Sequence, residues 1–328
     1  MKYTKTVTGM KTLKEITNEI LSLKSAYVFC HVRPDGDTVG SAVALTLALK
    51  QKGIICDIVC DGELPEKLKV LVDGSLFLTP QEVKTARDGH IAVDIAGEHL
   101  LGHSWGVYTA STKCFCIDHH PSNSRFSNLL YLEARPSTTL IIHEMIKLMQ
   151  ADFTAQIAEA ILLGIITDTG NFMHDCTNSM ALQVASEMIN CGASMQKVIN
   201  AIYKTQSKER SQLYIEVLGK MRFYLQNKLA LITIKADDLQ SRGLTEDCTE
   251  GFVDYPLTIA GVEVSVSLLQ TRNNLYRVSF RSRGNVDVNV IAGEFGGGGH
   301  RFASGCVVSG MYEEVVEKVV RAVDINIY

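Results

Sequence analysis

The sequence predicts an α/β protein in which a parallel sheet with helices on both faces precedes a smaller α+β domain. Short, mostly apolar runs alternate with longer helical text through the first half of the chain. Several of those runs stop at Asp or His, as strands do when their ends carry a site. Beyond residue 221 the pattern changes to strands that alternate apolar with polar residues, the mark of a half-exposed sheet.

The first strand is read in AYVFCHV (26–32), followed by a helix over 38–53 that ends at Gly53 as its C′ residue. IICDIVC (54–60), HIAVDIA (90–96) and KCFCID (113–118) supply three more strands, and helices follow at 137–150, 154–166 and 178–191. Apolar strands bounded by helices form parallel sheets covered on both faces. These elements make a first domain over residues 1–195. Residues 196–220 are polar, helical and poor in Gly, Pro and Ser, so they are read as a helical connector rather than a flexible linker. The second domain covers 221–328, with strands in RFYLQNKLALITI, VEVSVSLLQT and NLYRVSFRSRG and a hairpin turn at 272–274.

A net charge of -4 leaves no basic field to hold long duplex nucleic acid. The nine cysteines are odd in number, scattered and without CxxC, which argues against a disulfide framework and a zinc knuckle and fits a reducing cytoplasm. The N-terminal text has no apolar signal-like region, and AILLGII is too short to cross a bilayer. A soluble cytoplasmic protein with no membrane partner is expected.

Four motifs carry the chemistry. HVRPDGD holds His31, Asp35 and Asp37, AVDIAG holds Asp94, CIDHH holds Asp118, His119 and His120, and IITDTG holds Asp168. Each has an ordinary explanation when taken alone: a turn, a helix cap, a packed histidine. Together they are expected to converge as strand-end groups on one rim of the sheet. Such a crowd of carboxylates and imidazoles repels itself and is badly desolvated without cations. Carboxylate and imidazole donors without thiolate suit Mn²⁺ or Mg²⁺ better than structural zinc. Two ions about 3.5–4 Å apart are the usual clamp for displacement at phosphorus.

FGGGGHRFASG (295–305) is the second strong signal. It does not match the P-loop pattern, but the backbone of Gly297, Gly298 and Gly299 can approach an anion closely, with His300 and Arg301 beside it.

With HxRPDGDxxGS, a lone Asp, DHH and a later Asp in this order, the sequence resembles the DHH phosphoesterase family over nearly its whole length, and GGGH resembles the signature of the family's DHHA1 domain. The resemblance implies a catalytic cleft between the two domains. It implies that His31 and Asp35 hold one ion, that Asp37, His119 and Asp168 hold the other, and that Asp94 bridges them. His120 then faces the substrate phosphate and Asp118 orients the histidines. It implies two Mn²⁺ ions, with Mg²⁺ or Co²⁺ as alternatives, and a substrate phosphate held by Arg281, Ser282 and His300, with Asn289 as a further candidate. The two-domain length and the absence of the SRKKQ-like motif of the pyrophosphatases point to the nanoRNase/pAp phosphatase branch. That branch hydrolyses short single-stranded RNA and 3′-phosphoadenosine 5′-phosphate (pAp), through a bridging water activated by both ions. A homodimer is compatible with this reading. Hydrolysis of linear or cyclic di-AMP, or of polyphosphate, is the alternative activity, and a catalytically silent nucleotide-binding protein is the alternative of another class.

Overall fold

A computed structural model describes residues 11–272 and 274–327. The chain divides between Thr205 and Gln206 into two compact units. Residues 196–220 contribute to both: helical turns over Met195–Ile199 and Asn200–Lys204 belong to the first unit, and a helix over Lys208–Gly219 belongs to the second.

The first unit is built on a six-stranded sheet of β1 (Ser25–Phe29), β2 (Ile55–Val59), β3 (Phe77–Leu78), β4 (Gly89–Val93), β5 (Cys114–Asp118) and β6 (Leu129–Leu132). All pairings are parallel, and the order is β3-β2-β1-β4-β5-β6. The order reverses between β1 and β4, and open α/β sheets bind ligands beyond the strand ends at such a reversal. One face of the sheet is covered by helices α1 (Leu13–Leu21), α2 (Gly36–Gln51), α5 (Thr138–Met149), α6 (Ala155–Asp168) and α7 (Ser179–Asn190). Two short helices, α3 (Glu66–Lys69) and α4 (Ser104–Tyr108), precede α5 in the chain. The other face has a thinner cover, in which Trp105 and Tyr108 of α4 pack with Phe126 over Tyr27 and Phe29.

The expected strands are present; β5 ends at Asp118 as expected, and the other three end earlier. The chain leaves β1 at Phe29, so Cys30–His31 is not strand. β4 stops at Val93 because Asp94 takes a left-handed backbone with φ +59. Asp168, expected at a strand end, is instead the last residue of α6. The apolar run before it, AILLGII, is buried throughout as part of α6, and the helix continues two residues beyond it to the site. Gly53 ends α2 as anticipated, one residue past the C-cap, with φ +77. α2 and α6 cross closely, since a Cβ at Gly40 would overlap the Ala160 carbonyl oxygen. That approach places the start of α2 beside the end of α6.

The second unit has its own six-stranded sheet of β7 (Arg222–Tyr224), β8 (Leu229–Ile234), β9 (Val264–Arg272), β10 (Leu275–Ser282), β11 (Gly298–His300) and β12 (Ala303–Ser309). The order is β11-β12-β10-β9-β8-β7, antiparallel except for β8 with β9. After a short helical turn at Met195–Ile199 (α8), helix α9 (Lys208–Gly219) and the short α10 (Ala236–Gln240) contribute Leu213, Val217 and Leu239 to one core, while α11 (Val288–Glu294) and α12 (Tyr312–Asn326) cover another. In the hairpin expected at 272–274, Arg272 pairs with Leu275 and Asn274 has φ +58. Asn273 lies outside the described residues. Within the glycine run, Gly298–His300 is a short strand paired with β12. Among the described residues, no helix is long and apolar enough to cross a membrane.

Candidate metal centre

The DGD turn becomes a helix start. Asp35 is the N-cap of α2, and its Oδ1 accepts the backbone N–H groups of Asp37 and Thr38 at 3.1 Å each. Gly36 is small for a reason: a Cβ there would overlap the Thr167 side chain near the end of α6. Asp37 is fully buried, and the N-terminus of α5 points at it. The backbone N–H of Thr138 donates to Asp37 Oδ2 at 2.6 Å and that of Thr139 to Oδ1 at 3.0 Å.

Side chains from four segments then converge. His31, Asp35 and Asp94 bring one ligand-type atom each within 4.8 Å of one another, as do Asp37, His119 and Asp168, and also Asp94, His119 and His120. Asp94 divides its carboxylate among these groups. Its Oδ2 faces His31 Nε2 at 3.9 Å, and its Oδ1 faces His119 Nε2 at 3.5 Å and His120 Nδ1 at 3.6 Å. His119 Nε2 also lies 3.4 Å from Asp168 Oδ2, and His31 Nε2 lies 3.6 Å from Asp35 Oδ2.

The histidines are oriented from behind. His119 Nδ1 bonds the Arg135 carbonyl at 2.8 Å, which leaves Nε2 as a lone-pair donor toward Asp94 and Asp168. His120 Nδ1 bonds Asp118 Oδ1 at 2.8 Å, and Asn123 donates to Asp118 Oδ2 at 2.6 Å.

The electrostatics are those of crowded, buried carboxylates. Burial, then the nearby carboxylates of Asp37, Asp35 and Asp118, push the Asp94 carboxyl well above the usual carboxylate range. Burial, then Asp37, Asp94 and Asp35, push Asp168 up as well. Burial also raises Asp37, against the pull of His119 and the helix N–H groups. Burial acts to raise Asp118 too, but the hydrogen bonds from His120 and Asn123 outweigh it and hold the group low. Burial disfavours the His120 imidazolium, yet Asp118 outweighs it and raises the imidazole. Asp168 bears a further cost, since it places negative charge at the negative end of the α6 dipole.

The donor set fits divalent ions. The separations of 3.4–3.9 Å between donor atoms exceed hydrogen-bond lengths. They approach the roughly 3.0–3.5 Å edges of a coordination shell with metal–ligand bonds of about 2.0–2.2 Å. The donors are oxygen and imidazole nitrogen, without thiolate.

The predicted substrate groups all lie in the second unit. Arg281 on β10, Ala303 on β12 and His300 on β11 form one cross-strand row. Arg281 Nε donates to Asp254 at 3.0 Å. Ser282, next along β10, is buried, and its Oγ accepts the Gly284 N–H. Asn289 lies near Gly298, its Oδ1 3.7 Å from where a Cβ would stand. Arg301 and His300 are exposed. Gly297 and Gly299 meet the β12 backbone so closely that a side chain at either would collide with residues 303–306, so strand packing already requires glycine there.

Sequence reasoning missed Thr138, Thr139, Arg135 and Asn123. The run PSTTL announces a helix start, but nothing local says that its N–H groups meet a carboxylate one hundred residues away. A left-handed run at Gly170, Asn171 and Phe172, separated from Asp168 by one residue, was also missed.

The profile of the DHH family, N-terminal domain, matches residues 25–165, and that of the DHHA1 domain matches residues 228–327. The chain is 31% identical over 300 residues to a bifunctional oligoribonuclease and PAP phosphatase, NrnA, of Thermus thermophilus, covering 89% of this chain and 88% of that protein. It is 28% identical over 313 residues to the protein of the same description from Bacillus subtilis, covering 91% and 93%. A crystal structure of an exopolyphosphatase-related protein from Bacteroides fragilis superposes with a TM-score of 0.88 at 26% identity, covering 95% of each chain. With both domains matched in order, with relatives spanning nearly the whole length and with a ligand-type cluster at the sheet's reversal point, the chain belongs to the DHH/DHHA1 phosphoesterase family.

Proposed function

We propose that this chain is a metal-dependent phosphoesterase that hydrolyses short RNA oligonucleotides and 3′-phosphoadenosine 5′-phosphate. The observation that carries the reading is the divided carboxylate of Asp94, with one oxygen toward His31 and the other toward His119 and His120. His31 and Asp35 would hold one divalent ion and Asp37, His119 and Asp168 the other, with Asp94 common to both. The oxygen and imidazole donors favour Mn²⁺, with Mg²⁺ or Co²⁺ as substitutes. When bound, such ions polarise phosphoryl oxygens and lower the pKa of water.

The chain's own residues supply the rest. Asp118 fixes His120 through Nδ1 and favours its charged form, so Nε2 presents a proton to a phosphoryl or leaving-group oxygen. His300, Arg281, Ser282, Asn289, Arg301 and the backbone of Gly297–Gly299 would hold a second phosphate or the far part of the nucleotide. Holding that part positions the bond to be broken.

The deciding experiment compares turnover of di- to pentaribonucleotides, pAp, linear and cyclic di-AMP, and polyphosphate, each with Mn²⁺ and with Mg²⁺. Short RNA and pAp are expected to dominate. Dominant polyphosphate cleavage would overturn the substrate and leave the site assignment standing.

A further inference from the structure

Phe302 sits at the tip of the two-residue turn that joins β11 to β12, where His300 pairs with Ala303. Its side chain is 41% exposed and belongs to neither core of the second unit. Turns this short usually select Gly, Asn or Asp for positive φ. Here the residues are Arg301 and Phe302, and neither has positive φ. Neither turn chemistry nor core packing accounts for an aromatic ring at this place.

The turn is held from both sides. Ser282 N–H donates to the Phe302 carbonyl at 3.0 Å, and Val288 N–H donates to the Arg301 carbonyl at 2.9 Å. The Arg301 guanidinium carbon lies 5.3 Å from the Phe302 ring centroid. Gly284 leaves the ring edge open, since a Cβ there would come only to 3.9 Å from Phe302 Cε1. The turn is flanked by His300 and Ala303, members of the row that carries Arg281.

We propose that Phe302 is a nucleobase-stacking platform, with Arg301 as its cationic partner, and that it makes the second unit select phosphorylated nucleosides over base-free phosphates. The proposal rests on the nucleotide-phosphoesterase reading above. Every base has a π-face, so one ring accepts any of them, as short RNA of mixed sequence requires. A cation against the ring adds attraction. A turn already tied at both carbonyls loses little freedom when a base settles on it.

The test uses the full chain and two readouts. The first is the quenching of a 2-aminopurine ribodinucleotide on binding, which reports stacking directly. The second is the ratio of KM for a ribodinucleotide to KM for its abasic analogue. Phe302→Ala is expected to weaken binding of the fluorescent dinucleotide about tenfold and to shift the KM ratio toward the abasic substrate by a similar factor. Phe302→Trp should restore both, whereas Phe302→Leu, which keeps apolar bulk without a π-face, should not. Equal quenching in wild type and Phe302→Ala, or equal losses on both substrates, would overturn the platform even if the chain cleaves short RNA. Quenching that depends on Phe302 in a chain that cleaves only polyphosphate would uphold the platform and reject the RNA reading.

Discussion

Thr138 donates its hydroxyl to Asp94 Oδ1 at 2.9 Å while its own backbone N–H donates to Asp37 Oδ2 at 2.6 Å. One residue at the start of α5 thus orients two carboxylates, one from the first turn of α2 and one directly after β4. Removing only the hydroxyl with Thr138→Val keeps the volume and the backbone contact. Mn²⁺ affinity measured by calorimetry is expected to fall about 10–100-fold, the usual cost of losing a partner that orients a ligand. The lost hydrogen bond had favoured the Asp94 carboxylate, so the variant should need a higher pH for half-maximal Mn²⁺ binding. Unchanged affinity would show that Thr138 does not orient the site.

The raised carboxyl of Asp94 makes a prediction about stability. Its folded-state pKa lies above the unfolded one, so the folded chain binds more protons between the two values. Stability is therefore fullest below the ordinary Asp range and is lost as pH rises through the folded-state pKa. Asp94→Asn removes that loss and keeps an acceptor for Thr138. In EDTA the variant should melt higher than wild type at pH 8, with the gap closing toward pH 4, and Mn²⁺ should no longer raise its Tm. A variant that melts lower at every pH would refute the buried-charge account.

Gly164 faces Asp37 so closely that a Cβ would lie 2.5 Å from Asp37 Oδ1, with the Thr139 side chain equally near. Gly164→Ala should destabilise the protein by about 1–3 kcal/mol through overpacking. Because the displaced atom is a proposed ligand, Mn²⁺ affinity should fall with it. Chemical denaturation and metal titration measure the two effects separately, and a stable variant with intact Mn²⁺ binding would contradict the packing described.

His300 is exposed on β11, in the cross-strand row that reaches Arg281 across Ala303 of β12, and it is remote in sequence from every candidate ligand. His300→Ala is expected to raise KM on a ribodinucleotide about tenfold, the scale of one hydrogen bond to a charged group. Its kcat and Mn²⁺ affinity should change much less. A loss confined to kcat would place His300 in the chemistry instead of substrate holding.

The architecture was legible wherever burial is uniform along an element. β1, β4 and β5 read clearly because both of their faces are covered, which makes their text mostly apolar, while β2 keeps enough buried Cys, Ile and Val to read as a strand despite exposed Ile55 and half-buried Asp57. β3 is two residues long and β6 four, with half-exposed positions, so neither leaves a pattern to recognise. Asp168 falls on a helix because α6, read over 154–166, runs two residues beyond its apolar text, and apolar periodicity does not mark where the last turn of a helix ends.

The sequence by itself determined the chemistry of this protein: which carboxylates and imidazoles exist, that they follow apolar elements, and that a glycine-rich basic segment lies in the second half. Residue type and local order are written in the chain, and metal-ligand chemistry follows from type. Only the tertiary structure decided how those groups share their atoms. The split carboxylate of Asp94, the α5 N–H groups on Asp37, the Arg135 carbonyl behind His119 and the close crossing at Gly40 join residues far apart in sequence. A hydrogen bond or a steric limit between such residues is set by the packing of α2, α5 and α6 on the sheet, and local sequence carries no record of it.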